Sequence, residues 1–124
     1  MTLLNHYRVL GRSGLKVSPL CLGTMTFGTG AGWSADETTS RAIFDGYLEQ
    51  GGNFIDTAVS YTNGRSETLL GTFMAGRREQ LVLATKFAVN TRPGDPNAGG
   101  NHRKTIVQAC LLYTSPSPRD RQKS

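Results

Sequence analysis

Cysteine, histidine and long apolar runs are all scarce in this 124-residue chain. Its two cysteines, Cys21 and Cys110, and two histidines, His6 and His102, do not supply the paired ligand spacing of a structural zinc site or a disulfide framework. No metal is therefore expected. No apolar stretch approaches the roughly 18 residues of a membrane-spanning helix. The opening MTLLNHYRVL has neither the basic start nor the long apolar core of a secretory signal. A cytoplasmic location without a membrane partner is the expectation. A phosphate-loop lysine pattern is also missing, and FGTGAGW carries Trp33 where a dinucleotide fingerprint needs its third glycine.

What is present fits a single core. A chain of 13.4 kDa, 37% apolar with a mean hydropathy of -0.34, has the composition of one ordinary globular domain. The formal charge of +5 and the pI near 9.6 would suit a polyanionic partner. The basic groups are scattered without interleaved aromatics, however, and three of the fourteen fall in the last fifteen residues. That pattern reads as a solvated surface, so no nucleic acid is expected. Cys21, in the apolar run LCLGTM, reads as a buried reduced thiol.

Along the chain, YRVLGRSGLKV at 7–17 places two β-prone runs around Gly11 and Gly14 and predicts a hairpin. PLCLGTM reads as a strand buried on both faces. SADE at 34–37 has the form of a capping box led by Ser34, predicting a helix over 35–50 with Ile43, Phe44, Tyr47 and Leu48 on its apolar face. Gly51 and Gly52 supply its left-handed stop. The order then repeats: strand NFID, a loop through TNGR, a helix carrying Leu69, Leu70, Phe73 and Met74, and a stop at Gly76. A third strand, LVLATKF, leads to the long loop NTRPGDPNAGGN, with Asn101 placed to cap a third helix near His102. Strands alternating with helices indicate βα units on a parallel sheet.

If these are consecutive units of a parallel barrel, Gly23 and Thr24, Asp56, and Lys86 fall at the ends of strands one, two and three, on the active face of such folds. Tyr61 lies in the loop beyond Asp56. A phenol is a poor proton donor at neutral pH, but a neighbouring ammonium favours its phenolate and so strengthens it as an acid. Asp56 would keep Lys86 charged and oriented, and the three together suit a general acid that protonates an oxygen as negative charge develops there. Carbonyl reduction has that requirement, with hydride supplied by a cofactor. Met25 and Trp33 are candidates for an apolar substrate pocket, with plain packing as the other reading of both. His102 reads as part of a helix start.

In order, the segments LGRSGLKVSPLCLGTMTFG, GGNFIDTAVSYTNGRSETLLG and LVLATKF resemble the aldo/keto reductase family over roughly residues 7–109. The resemblance implies an α/β fold: an amino-terminal hairpin plus the first three βα units of a (β/α)8 TIM barrel, truncated, since such a barrel takes about 250 residues. It implies reduction of aldehydes or ketones with NADPH, Tyr61 as proton donor, Lys86 as its ammonium partner, and Asp56 as the partner of the lysine. Gly23, Thr24 and Asp56 would contact the cofactor. The family's catalytic histidine at the end of strand four, and the later loops that hold most of the cofactor, have no counterpart here.

Residues 1–109 are thus expected to form a partial barrel and 110–124 a non-native tail, because CLLYTSPSPRD resembles the translation of an adapter used in preparing sequencing libraries. The rival reading is a natural proline-rich tail, phosphorylated at Ser115 or Ser117 and barred from helix by Pro116 and Pro118. Alone, the fragment is expected to be inactive and to self-associate. Two other functions fit the same residues: a nucleotide-binding regulatory subunit with the reductase fold, like potassium-channel β subunits, and a barrel lyase using Lys86 as a Schiff base.

Overall fold

The computed structural model describes residues 4–29 and 32–114. Ser115, Pro116, Ser117 and Pro118 lie outside the described residues. The chain begins with an antiparallel hairpin, β1 (Arg8–Val9) and β2 (Lys16–Val17), with Arg8 opposite Val17. Both glycines expected to make the turn, Gly11 and Gly14, adopt left-handed φ of 59° and 76°. Asn53 fastens the hairpin to the sheet: its Oδ1 accepts from Ser18 N–H at 2.7 Å and its Nδ2 donates to Lys16 O at 3.1 Å.

Three parallel strands follow in spatial order β3 (Leu22–Gly23), β4 (Phe54–Asp56) and β5 (Val82–Ala84). Their register aligns Leu22 with Ile55 and Leu83, and Gly23 with Asp56 and Ala84. Because side chains alternate across a strand, Leu22, Ile55 and Leu83 point to one face. There they pack with the core cluster of Phe27, Phe44, Leu69, Leu70, Phe73, Met74 and Leu81. Gly23, Asp56 and Ala84 belong to the opposite face.

Helices α1 (Glu37–Glu49) and α2 (Arg65–Phe73) cover the apolar side. Phe44 of α1 meets Phe73 of α2 with ring centroids 5.5 Å apart, and Phe27 meets Phe73 edge-on at 6.4 Å. The third helix, α3 (Arg103–Thr114), packs against α2 and continues past Ala109 into the segment set apart from the sequence.

Several local expectations change. The cap of α1 is Asp36, whose carboxylate accepts from Thr39 N–H at 2.7 Å; Ser34 lies two residues too early, so α1 starts at Glu37. On that helix Phe44 is fully buried, Tyr47 and Leu48 are half-buried and Ile43 is exposed, because α1 rests on the sheet through a narrow stripe. At α3 the ring Nδ1 of His102, rather than Asn101, lies 3.3 Å from Thr105 N–H, and His102 O accepts from Ile106 N–H at 3.2 Å. Cys21 is exposed, not buried. Two residues before Gly23, it shares the sheet face opposite the core, and no layer covers that face among the described residues.

Candidate active site

The site forms where β4 and β5 end. Asp56 is the last residue of β4, and Lys86 follows the end of β5 by two residues, so both project from the face opposite the core. Lys86 Nζ lies 2.7 Å from Asp56 Oδ2, 2.9 Å from Thr57 O and 3.1 Å from Tyr61 Oη. It also sits 4.9 Å from the centre of the Tyr61 ring. An ammonium has three hydrogens to donate, and these partners take all three.

Partial desolvation pulls the Lys86 pKa down, but hydrogen bonds to Asp56 and Tyr61 and the Asp56 carboxylate outweigh it, so the net direction is upward. Lys86 is held as a cation. Tyr61 Oη, having accepted from Lys86, keeps its own proton for another acceptor.

Tyr61 is placed by a tight turn. The 3₁₀ segment Tyr61–Gly64 carries Thr62 and Asn63 at left-handed φ of 48° and 55°, followed by Gly64 at 86°. A β-branched residue in that region is strained. Thr62 is held there by its hydroxyl, which donates to Phe27 O at 2.6 Å. Gly28 makes the close approach possible: at φ 108°, a Cβ on it would lie 2.6 Å from Arg65 Cγ and 2.9 Å from Thr62 Oγ1. The glycine-dense loop after β3 thus braces the tyrosine turn.

Of the residues expected at the site, Asp56, Tyr61 and Lys86 come together. Gly23 lies beside Asp56 in register, with open space where a Cβ would point. Thr24 does not face that space: it is fully buried, and its hydroxyl and N–H both donate to Asp56 O at 3.1 Å. Met25 and Trp33 are exposed and lie apart from the core cluster. A half-open cleft of about 690 Å³ lies elsewhere, between the second and third βα units, lined by Val59, Arg65, Phe87 and Arg92 among others. Asp56, Tyr61 and Lys86 do not line it, because they face the uncovered side of the sheet.

Sequence reasoning missed a tier of polar side chains, most of them buried, beneath the rim. Thr24, Thr57 and Thr85 each follow the last residue of a strand, and Ser66 and Glu67 reach them from α2. The signal was available, since a threonine recurs at the same offset after all three strands.

The family model for the aldo/keto reductase family matches residues 19–111. Norsolorinic acid reductase of Aspergillus flavus is 43% identical over 89% of this chain and 32% of its own length. An aryl-alcohol dehydrogenase of Pestalotiopsis microspora is 38% identical over 85% of this chain and 30% of its own. The chain therefore spans about a third of the length of these curated relatives. Among solved structures, aldo-keto reductase AKR11C1 from Bacillus halodurans, in its holo form, superposes with a TM-score of 0.71 at 35% identity, covering 94% of this chain and 36% of that one. Its fold, like that of its relatives, is the (β/α)8 barrel, of which the hairpin and the three-stranded parallel sheet with its helices are the matching part. Sequence pattern, relatives and three-dimensional likeness agree, and the chain belongs to the aldo/keto reductase family.

Proposed function

We propose that the protein to which this chain belongs reduces aldehydes or ketones to alcohols with NADPH, using Tyr61 as proton donor, Lys86 as its cationic partner and Asp56 as the anchor of the lysine. The observation that carries this reading is the saturated ammonium. Lys86 donates to Asp56, Thr57 O and Tyr61 Oη, leaving the phenol proton to be given away. Family members draw on NAD(P)H, which when bound supplies hydride. The chain's own residues then serve the oxygen. Tyr61 O–H donates to it and, as charge builds there, transfers the proton; the fixed positive charge of Lys86 stabilises the phenolate left behind. Gly23, with no side chain, leaves the strand end open beside this pair, and Asp56 holds Lys86 in place.

A cytoplasmic location and a small-molecule carbonyl substrate belong to the same proposal. No helix among the described residues is long and apolar enough to cross a membrane. A relative named for aryl alcohols makes aryl aldehydes the first substrates to try. The lyase reading needs Lys86 as a free amine, and the upward direction of its pKa favours the ammonium instead.

The test is NADPH consumption by the full-length protein against a panel of aryl and aliphatic aldehydes. Turnover abolished in Tyr61→Phe supports the proposal. NADPH binding without turnover of any carbonyl would favour the regulatory-subunit reading. This chain alone is proposed to be inactive, lacking the strand-four histidine that the family resemblance calls for.

A further inference from the structure

Four polar side chains lie fully buried beneath the reactive rim: Thr24, Thr57, Ser66 and Glu67, none more than 1% exposed. Their placement follows from the register. Gly23, Asp56 and Ala84 stand side by side at the strand ends, so the next residues, Thr24, Thr57 and Thr85, form one tier on the helix side. The first turn of α2 meets all three. Ser66 Oγ is 2.8 Å from Thr24 O, 2.9 Å from Thr24 Oγ1 and 3.1 Å from Thr57 Oγ1. Thr85 Oγ1 donates to Glu67 Oε1 at 2.6 Å.

Each contact is one step from the site. Thr24 donates to the carbonyl of Asp56, Thr57 gives its own carbonyl to Lys86 Nζ, and Thr85 directly precedes Lys86. The same helix begins where the Tyr61 turn ends.

Packing alone does not explain Glu67. Its Oε2 is buried with no hydrogen-bond partner, and burying a carboxyl in that state is unfavourable. Desolvation pushes its pKa up, against the opposing hydrogen bond from Thr85. An apolar side chain of similar volume would fill the space without that cost. The carboxyl must therefore do something that an apolar group cannot.

We infer that Ser66 and Glu67 are positioning residues, a buried polar clip by which α2 fixes the three strand ends so that Lys86 meets Asp56 and Tyr61 in one geometry. The inference rests on the proposed reductase reading only for the use of that geometry. The geometry itself can be read without turnover.

The test uses the full-length protein with isotope-labelled lysine, following the ¹³Cε shift of Lys86 as pH rises; Lys86→Arg identifies the signal. The variant Glu67→Leu/Thr85→Val makes both partners of the buried bond apolar, a change compatible with folding. Expected are cooperative thermal unfolding, a Lys86 midpoint displaced downward toward the ordinary lysine range, and kcat lowered on the order of 10- to 100-fold with a smaller change in KM. Glu67→Gln keeps an acceptor for Thr85 and should restore most of the wild-type titration. A wild-type Lys86 titration in the folded double variant would overturn the inference. If that variant does not fold, Thr85→Val alone, which removes only the donor, is judged by the same criterion. A wild type without NADPH turnover would count against the reductase reading and leave the titration comparison standing.

Discussion

Lys86 has three hydrogens to donate, and Asp56, Thr57 and Tyr61 between them accept all three. Its ion pair with Asp56 is about half exposed, and pairs of that exposure contribute at most about 1 kcal/mol to stability. The contribution of the pair is therefore geometric. Tyr61→Phe removes the proton and leaves the ring, so kcat in the full-length protein should fall about 10²- to 10⁴-fold with KM little changed, checked by steady-state kinetics. Glu67 carries a second expectation. Desolvation raises its folded pKa above the ordinary 4.5, so the folded state holds its proton longer than the unfolded chain does. Its favourable contribution is present in full below about pH 4.5 and is lost as pH rises through the higher folded value. Urea unfolding across acidic to neutral pH should show that decline, and Glu67→Gln should flatten it.

At the scale of elements, α1 is tied to the sheet at the end remote from the site. Tyr47 Oη lies 2.7 Å from both Leu20 O and Phe54 O, 2.6 Å from Ser18 Oγ, and accepts from Phe54 N–H at 3.2 Å. This single hydroxyl joins the helix to the starts of β3 and β4. Tyr47→Phe should cost about 1–3 kcal/mol, because it removes the acceptor of Phe54 N–H and the donor shared by the Leu20 and Phe54 carbonyls, and chemical denaturation measures it. The sequence showed Tyr47 only as one position of an apolar stripe. The order of strands and helices was legible because apolar runs of strand length alternate with helix-period segments ended by Gly51 and Gly76, both left-handed. Boundaries were less legible. Ser34 and Asp36 are both good capping residues, and the choice fell to Asp36 through its bond to Thr39 N–H.

For the whole molecule, the uncovered sheet face decides behaviour. Among the described residues β3 and β5 each keep one unpaired edge, and Leu20, Met25 and Trp33 are 67%, 53% and 60% exposed. Unpaired edges and exposed apolar groups favour association. The chain by itself should elute from size exclusion as an oligomer or aggregate, with light scattering to confirm it. A monodisperse monomer that unfolds cooperatively would contradict this.

The sequence by itself determined the βα order, the hairpin, and the arrival of Asp56, Lys86 and Tyr61 at one rim, because strand and turn signals are local and the family pattern spans 19–111. Only the tertiary structure decided which atoms meet. The parallel register set Gly23, Asp56 and Ala84 level, turned Thr24 inward and placed Ser66 and Glu67 beneath the strand ends. It also left Cys21 exposed, since the face a side chain takes depends on what packs against the strand, which no local run of residues specifies.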